Sequence, residues 1–234
     1  MSAIFLWQHC NLSPAQRLKG IILLKESALR YLSYSHPKIS DEMNVLMDSV
    51  IEEILLIAQP RIIHRIFDLK NKDGLLSIDA ELDLTYEELQ KLFSGCDRCM
   101  LIAGTLGVAI DRKLKLYMIE DMARYVAMDA AASALIEEAC DKYTEELPFG
   151  KMTFRYGPGY GSVPLALQKQ LLRILDAPKR IGLSISPSLL LEPQKSITGI
   201  VGVGISREKK SCEACGQIDH CLYRRNHTVC YQSK

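Results

Sequence analysis

Arg155-Tyr156-Gly157-Pro158-Gly159-Tyr160-Gly161 holds the densest set of chemically useful groups in the chain. Its three glycines leave the backbone bare, so a ligand can approach the peptide planes closely. Pro158 fixes the turn between two of them. Arg155 carries a planar fork able to hold a carboxylate through two parallel N–H donors, and Tyr160 adds a flat face and a hydroxyl. One fork, one phenol and a bare backbone suit a small zwitterionic ligand. The same residues would also make an ordinary Gly-Pro surface turn, so the surroundings must decide between the two.

A second cluster lies at the end of the sequence, where Cys212, Cys215, Cys221 and Cys230 are half of the eight cysteines. Four thiolates at this density can close a tetrahedral zinc site or ligate an iron–sulfur cluster, and the spacing leaves both open. His220 and His227 are spare ligands in the same stretch. Cysteines gathered so unevenly indicate a local site in a reducing compartment, not a disulfide scaffold. Cys96 and Cys99 have the spacing of a redox or metal pair, but they precede an apolar run and read as core cysteines. Gly199, Gly202 and Gly204 lack the G-x-G-x-x-G order, and no helical pattern follows them, which excludes a dinucleotide loop.

Composition narrows the classes further. With 48% hydrophobic and 24% charged residues the 234-residue chain is ordinarily globular. A net charge of +1 gives no nucleic-acid footprint, and the basic groups at Arg207 to Lys210 and Arg224-Arg225 read as solvated surface. Met1 to Trp7 is too short for a signal peptide and has no basic region before it. The apolar window Met100 to Ile110 falls far short of the roughly 20 residues that span a bilayer. The expectation is a soluble, cytoplasmic protein with neither nucleic acid nor membrane as a partner.

The elements that must carry these groups alternate in type. Ser13-Pro14 opens a helix running to about Tyr34, and Ser40 opens a second that closes before Pro60. Arg61 to Leu69 reads as a strand, followed by a turn at Asn71 to Gly74 and a return at Leu75 to Ile78. Thr85 to Glu88 has the form of a capping box, predicting a short helix over Tyr86 to Phe93. Met100 to Gly107 is a buried strand or a helix start, and Lys115 to Glu146 predicts one long helix. Met152 to Tyr156 predicts a short strand feeding the glycine turn. Val163 to Leu175 predicts an amphipathic helix, and Ile197 to Ile205 a strand deep in a sheet. The pattern predicts an α+β domain, with a mostly antiparallel sheet and helices on one side.

Arg155-x-x-Pro158-Gly159-Tyr160, followed by Pro164 and a helical stretch, resembles the activation domain of cobalamin-dependent methionine synthase. Ile185 to Ser188 and Pro193 to Gly199 resemble the second landmark of that family. Ala103 to Gly107 and Met128 to Ala130 fit the same pattern at compatible distances. The resemblance runs from about Ser13 to Ile205. It implies a twisted, mostly antiparallel sheet with flanking helices in a stand-alone activation domain over 1–206, helical over about 1–60. Residues 207–234 are then a Cys-rich tail.

The ligand it implies is S-adenosylmethionine. Arg155 would hold the carboxylate, and Gly157, Gly159 and Tyr160 would lie against the adenosyl part and the corrinoid, with Tyr160 at the catalytic position. A helix glutamate falls on Glu137, or on Glu138 one register away, and Lys195 and Ser196 border the pocket. The implied activity is that of a component of the synthase, the reductive methylation that restores an oxidised corrinoid. The corrinoid would arrive on a partner, methionine synthase or a related methyltransferase, and the electron from a donor such as flavodoxin or ferredoxin. Val163 and Ala166 depart from the Cys-Pro and histidine usual after the tyrosine turn, so the contacts to a corrinoid would differ. A second reading is a metal-stapled module that docks on a corrinoid protein without chemistry of its own.

Overall fold

The computed structural model describes residues 14–32 and 39–204. Helix α1 (Pro14–Tyr31) and helix α2 (Asp41–Ile57) begin where the sequence predicts, and the Ser40 hydroxyl caps α2 by accepting the Met43 N–H at 3.2 Å. Strand β1 (Arg61–Asp68) follows, then a hairpin of β2 (Lys70–Lys72) and β3 (Leu75–Ser77). Its turn is closed by Asn71, whose side-chain oxygen accepts the Gly74 N–H. Helix α3 (Glu87–Leu92) forms, but without the capping box. Tyr86 is its N-cap and makes no side-chain cap bond, while the Thr85 hydroxyl donates to Asp83 at 2.6 Å. The carboxylate two residues back wins the threonine from the helix end.

Met100 to Thr105 is strand, as part of β4 (Cys96–Thr105), and Gly107 is the N-cap of the helix that follows. The single long helix expected over Lys115 to Glu146 is two helices, α4 (Val108–Glu120) and α5 (Met122–Glu145). Asp121 breaks them: its backbone turns extended (φ −154°) and its carboxylate accepts the Arg124 N–H at 3.0 Å, ending one helix and capping the next. Then come α6 (Leu167–Leu175), α7 (Ala177–Ile181), the short pair β5 (Ser184–Ile185) and β6 (Leu191–Glu192), and β7 (Ser196–Gly204).

The main sheet has the order β1-β4-β7, antiparallel throughout, with Ile62 opposite Gly104 and Gly104 opposite Ile197. Successive residues of β4 enter different cores. Met100 and Ile102 pack with α1, α2, α4 and α5, while Leu101 and Ala103 pack with α3, α6 and α7. Helices therefore cover both faces, not the one side expected. A central strand buried on both faces has no polar alternation, which is why Met100 to Thr105 could not be assigned by period. Gly104 lets α5 close on the sheet, since a Cβ there would stand 2.8 Å from the Cys140 Sγ.

The strand expected over Met152 to Tyr156 reduces to two isolated antiparallel bridges, Met152 to Val203 and Tyr156 to Ile200. These lay the segment along the outer edge of β7. That placement builds the site.

Candidate functional site

Arg155 lies between the two bridges and beside Gly199 of β7. A Cβ on Gly199 would fall 2.2 Å from the Arg155 Cγ and 2.6 Å from its Cδ, so only glycine lets the stem cross. The guanidinium then reaches α5. Its Nη1 donates to Asp141 Oδ1 at 2.9 Å, and its Nη2 forms a very short ion pair with Glu137. The Arg155 side chain is only 10% exposed. Burial works against its charge, but the Glu137 and Asp141 carboxylates outweigh that and push its pKa above the usual arginine value. Cys140, beneath it, is pushed up to about 12, chiefly by burial, and stays a neutral thiol.

Glu137 and Asp141 belong to a longer row. Asp129, Ser133, Glu137 and Asp141 recur every four residues and share one face of α5. The first two receive Lys195, whose Nζ lies 2.7 Å from Asp129 Oδ1 and 2.9 Å from Ser133 Oγ. The next residue, Ser196, starts β7 with its hydroxyl 2.6 Å from the Pro193 carbonyl and 2.8 Å from the Thr105 hydroxyl. One helix face thus brings together Glu137, Arg155 and Lys195. Glu138 points elsewhere and pairs with Lys142 at 2.7 Å.

The glycine turn is fastened from two sides. Glu88 of α3 accepts the Ser162 N–H at 2.9 Å and also takes its hydroxyl, and the Tyr156 hydroxyl donates to the Tyr160 carbonyl at 3.0 Å. The bonds from Ser162 hold the Glu88 carboxyl below the usual carboxylate range. Gly159 (φ 93°) and Gly161 (φ 55°) occupy backbone conformations that side chains disfavour. A Cβ on Gly157 would lie 3.3 Å from the Tyr160 ring, so the ring rests over bare backbone with 71% of the residue exposed. Val163, at the position that departs from the expected motif, is a buried anchor of the turn.

Tyr31, at the end of α1, also reaches the cluster. As a residue it is exposed, yet its hydroxyl is pushed up to about 12, first by its own local burial and then by Glu137 and Tyr160. Asp141, Glu88 and Tyr31 are functional candidates that the sequence does not single out. The four-residue spacing from Glu137 could have found Asp141. Gly199 closes the second landmark of the sequence resemblance, but its use beside Arg155 is fixed by tertiary register.

Other expected groups fall elsewhere. Cys212, Cys215, Cys221 and Cys230 lie outside the described residues, as do His220 and His227. Among the described residues no group of three or more His, Cys, Asp or Glu is placed to hold a metal, and no helix is long and apolar enough to cross a membrane. Cys99 is buried and Cys96 half-buried, and burial raises both thiols above the usual cysteine range, as core cysteines require. A cavity of about 670 Å³ between the β2–β3 hairpin and α3, lined by Leu76, Gln90 and Phe93, shares no residue with the Arg155 cluster.

No protein-family model matches the chain, and no curated protein matches its sequence. Among solved structures the chain is similar to the MetH reactivation domain bound to AdoHcy. The TM-score is 0.60 at 12% identity, over 91% of this chain and 84% of that one. At that identity the likeness is one of fold, an α+β domain with an antiparallel sheet and flanking helices.

Proposed function

We propose that this chain binds S-adenosylmethionine against the Arg155–Tyr160 turn and serves the reductive reactivation of a corrinoid carried by a partner. Methionine synthase or a related corrinoid methyltransferase is the partner this reading requires. One coincidence carries it. The fold resembles a reactivation domain bound to AdoHcy, and the Arg-x-x-Pro-Gly-Tyr turn has the bare backbone and open phenol that such a ligand needs, with a guanidinium at its start that is ion-paired to Glu137 and Asp141.

S-adenosylmethionine would supply the methyl group, while an electron comes from a donor of the flavodoxin or ferredoxin type. The residues of this chain bind and orient. Arg155 takes the carboxylate, Glu137 lies next to it for the ammonium, and Gly157 and Gly159 admit close approach. Tyr160 covers the adenosyl part, and Lys195 and Ser196 close the far side. Fixing both ends of the ligand points the sulfonium methyl outward, toward an arriving acceptor. Cys212, Cys215, Cys221 and Cys230 would form a separate zinc or iron–sulfur centre in the 207–234 tail.

Calorimetric titration with S-adenosylmethionine and with S-adenosylhomocysteine tests the reading. Binding is expected, and Arg155→Ala should cost roughly 1.5–3 kcal/mol, about one to two decades in affinity. Arg155→Lys should recover only part of that, because the fork is lost. Unchanged affinity in a folded Arg155→Ala protein refutes the assignment. One observation favours the docking-module reading: two carboxylates of α5 already neutralise Arg155, which gives the residue a structural use. That reading expects no S-adenosylmethionine binding at all.

A further inference from the structure

We infer that Asp141 is a specificity-determining residue of this site: its carboxylate holds the place on Arg155 that a ligand carboxylate must take. The inference rests on the reading that the amino-acid end of S-adenosylmethionine reaches Arg155.

Both terminal nitrogens of Arg155 are engaged within the chain, Nη1 by Asp141 and Nη2 by Glu137. A carboxylate held bidentately needs two parallel N–H donors on one edge. Arg155 cannot offer a different edge by swinging, because its stem crosses Gly199 and its side chain is 10% exposed. Asp141 and Glu137 hold the two terminal nitrogens, so a ligand carboxylate that takes that end of the fork displaces one of them.

Asp141 is the one placed to yield. Its side chain is 58% exposed against 45% for Glu137, and it lies a turn nearer the end of α5 at Glu145. The negative end of the helix dipole disfavours an anion there. Once Asp141 swings into water, Glu137 remains beside the new carboxylate.

Charge then sets the selectivity. A simple carboxylate would take the place of Asp141 beside Glu137 and leave the displaced Asp141 charge uncompensated nearby. A carboxylate with an ammonium on the adjacent carbon brings its own cation, which Glu137 can accept. The site selects a zwitterionic amino-acid end over a plain acid, and Asp141 sets the threshold.

The test uses Asp141→Asn and Asp141→Ala in the full chain, with S-adenosylmethionine and its decarboxylated analogue as calorimetric ligands. Removing an exposed competing carboxylate should tighten S-adenosylmethionine about two- to fivefold. The decarboxylated analogue, which needs no room on Arg155, should not tighten. Glu137→Gln should loosen S-adenosylmethionine, opposite in sign to its neighbour. In an Arg155→Ala background the gain from Asp141→Asn should vanish. If the wild type binds and Arg155→Ala weakens it, but neither Asp141 variant tightens S-adenosylmethionine, this inference fails and the site assignment stands. Equal tightening of both ligands also overturns it, since that would be a general charge effect. A wild-type protein that binds neither ligand overturns the site assignment and this inference together.

Discussion

Gly199→Ala tests the architecture of the site without touching any polar group. An added methyl would sit 2.2 Å from the Arg155 Cγ and 2.6 Å from its Cδ. Carbon atoms prefer about 3.5–4.0 Å, so the stem must retreat by roughly 1.5 Å. The clash involves the middle of the side chain, so a rotation at its tip cannot relieve it, and the guanidinium is drawn away from Glu137 and Asp141. Overpacking of this kind costs about 1–3 kcal/mol. For a domain of this size that is a fall of about 2–12 °C in melting temperature. Ligand affinity should fall as far as in Arg155→Ala, about one to two decades. The decisive measurement is the double variant, followed by thermal melting and calorimetry. Arg155→Ala removes the atoms that clash, so adding Gly199→Ala to it should cost almost nothing further in stability. A Gly199→Ala protein with wild-type melting and affinity refutes the reasoning, and so does simple additivity in the double variant.

Gly104→Ala places a methyl 2.8 Å from the Cys140 Sγ and 3.3 Å from Ile62 Cγ1. Urea titration should show a loss of about 1–3 kcal/mol, largely recovered by Cys140→Ala. Glu53 gives a pH prediction: burial raises its pKa, but hydrogen bonds from Lys113 and Tyr117 and the nearby charges outweigh that and hold it below the usual carboxylate value. Its stabilising contribution is complete above the ordinary glutamate pKa of about 4.3 and is lost as pH falls through the lower folded value. Melting curves of Glu53→Gln from about pH 7 to about pH 3 should show a shallower acid limb than the wild type. Metal analysis of anaerobically purified protein should return about one zinc or iron–sulfur centre per chain. Freely titratable thiols at Cys212, Cys215, Cys221 and Cys230 would contradict it.

Local chemistry made several elements legible. Ser40 marks its helix with a hydroxyl cap, Asn71 closes its hairpin, and the β-branched run after Ser196 is a strand. The errors arose where a neighbour competes for a group. Thr85 has the spacing of a cap, yet Asp83 takes its hydroxyl. Asp121 interrupts an unbroken helical period with a cap bond that begins a new helix. Within the site, Arg155 and Tyr160 stand out by residue type, and Glu137 through the family resemblance. Gly199 belongs to the glycine-interrupted strand that the sequence predicts. Its use as a passage for Arg155 depends on the bridge from Tyr156 to Ile200, which no local pattern encodes. Glu88 and Ser162 likewise meet across 74 positions of sequence.

The four-residue row on α5 ties segments that are far apart in the chain, Arg155 through Glu137 and Asp141, and Lys195 through Asp129 and Ser133. Both are clamped to one rod, and the rod is packed on the sheet through Gly104. Neither can fray alone without breaking its ion pairs to that rod, so their opening free energies are linked. In native-state hydrogen exchange, the bridged Tyr156 amide and the Leu106 amide, which donates to the Lys195 carbonyl, should share an opening energy with α5. Matching opening energies at these three places would mark the row and the two segments it clamps as one cooperative unit.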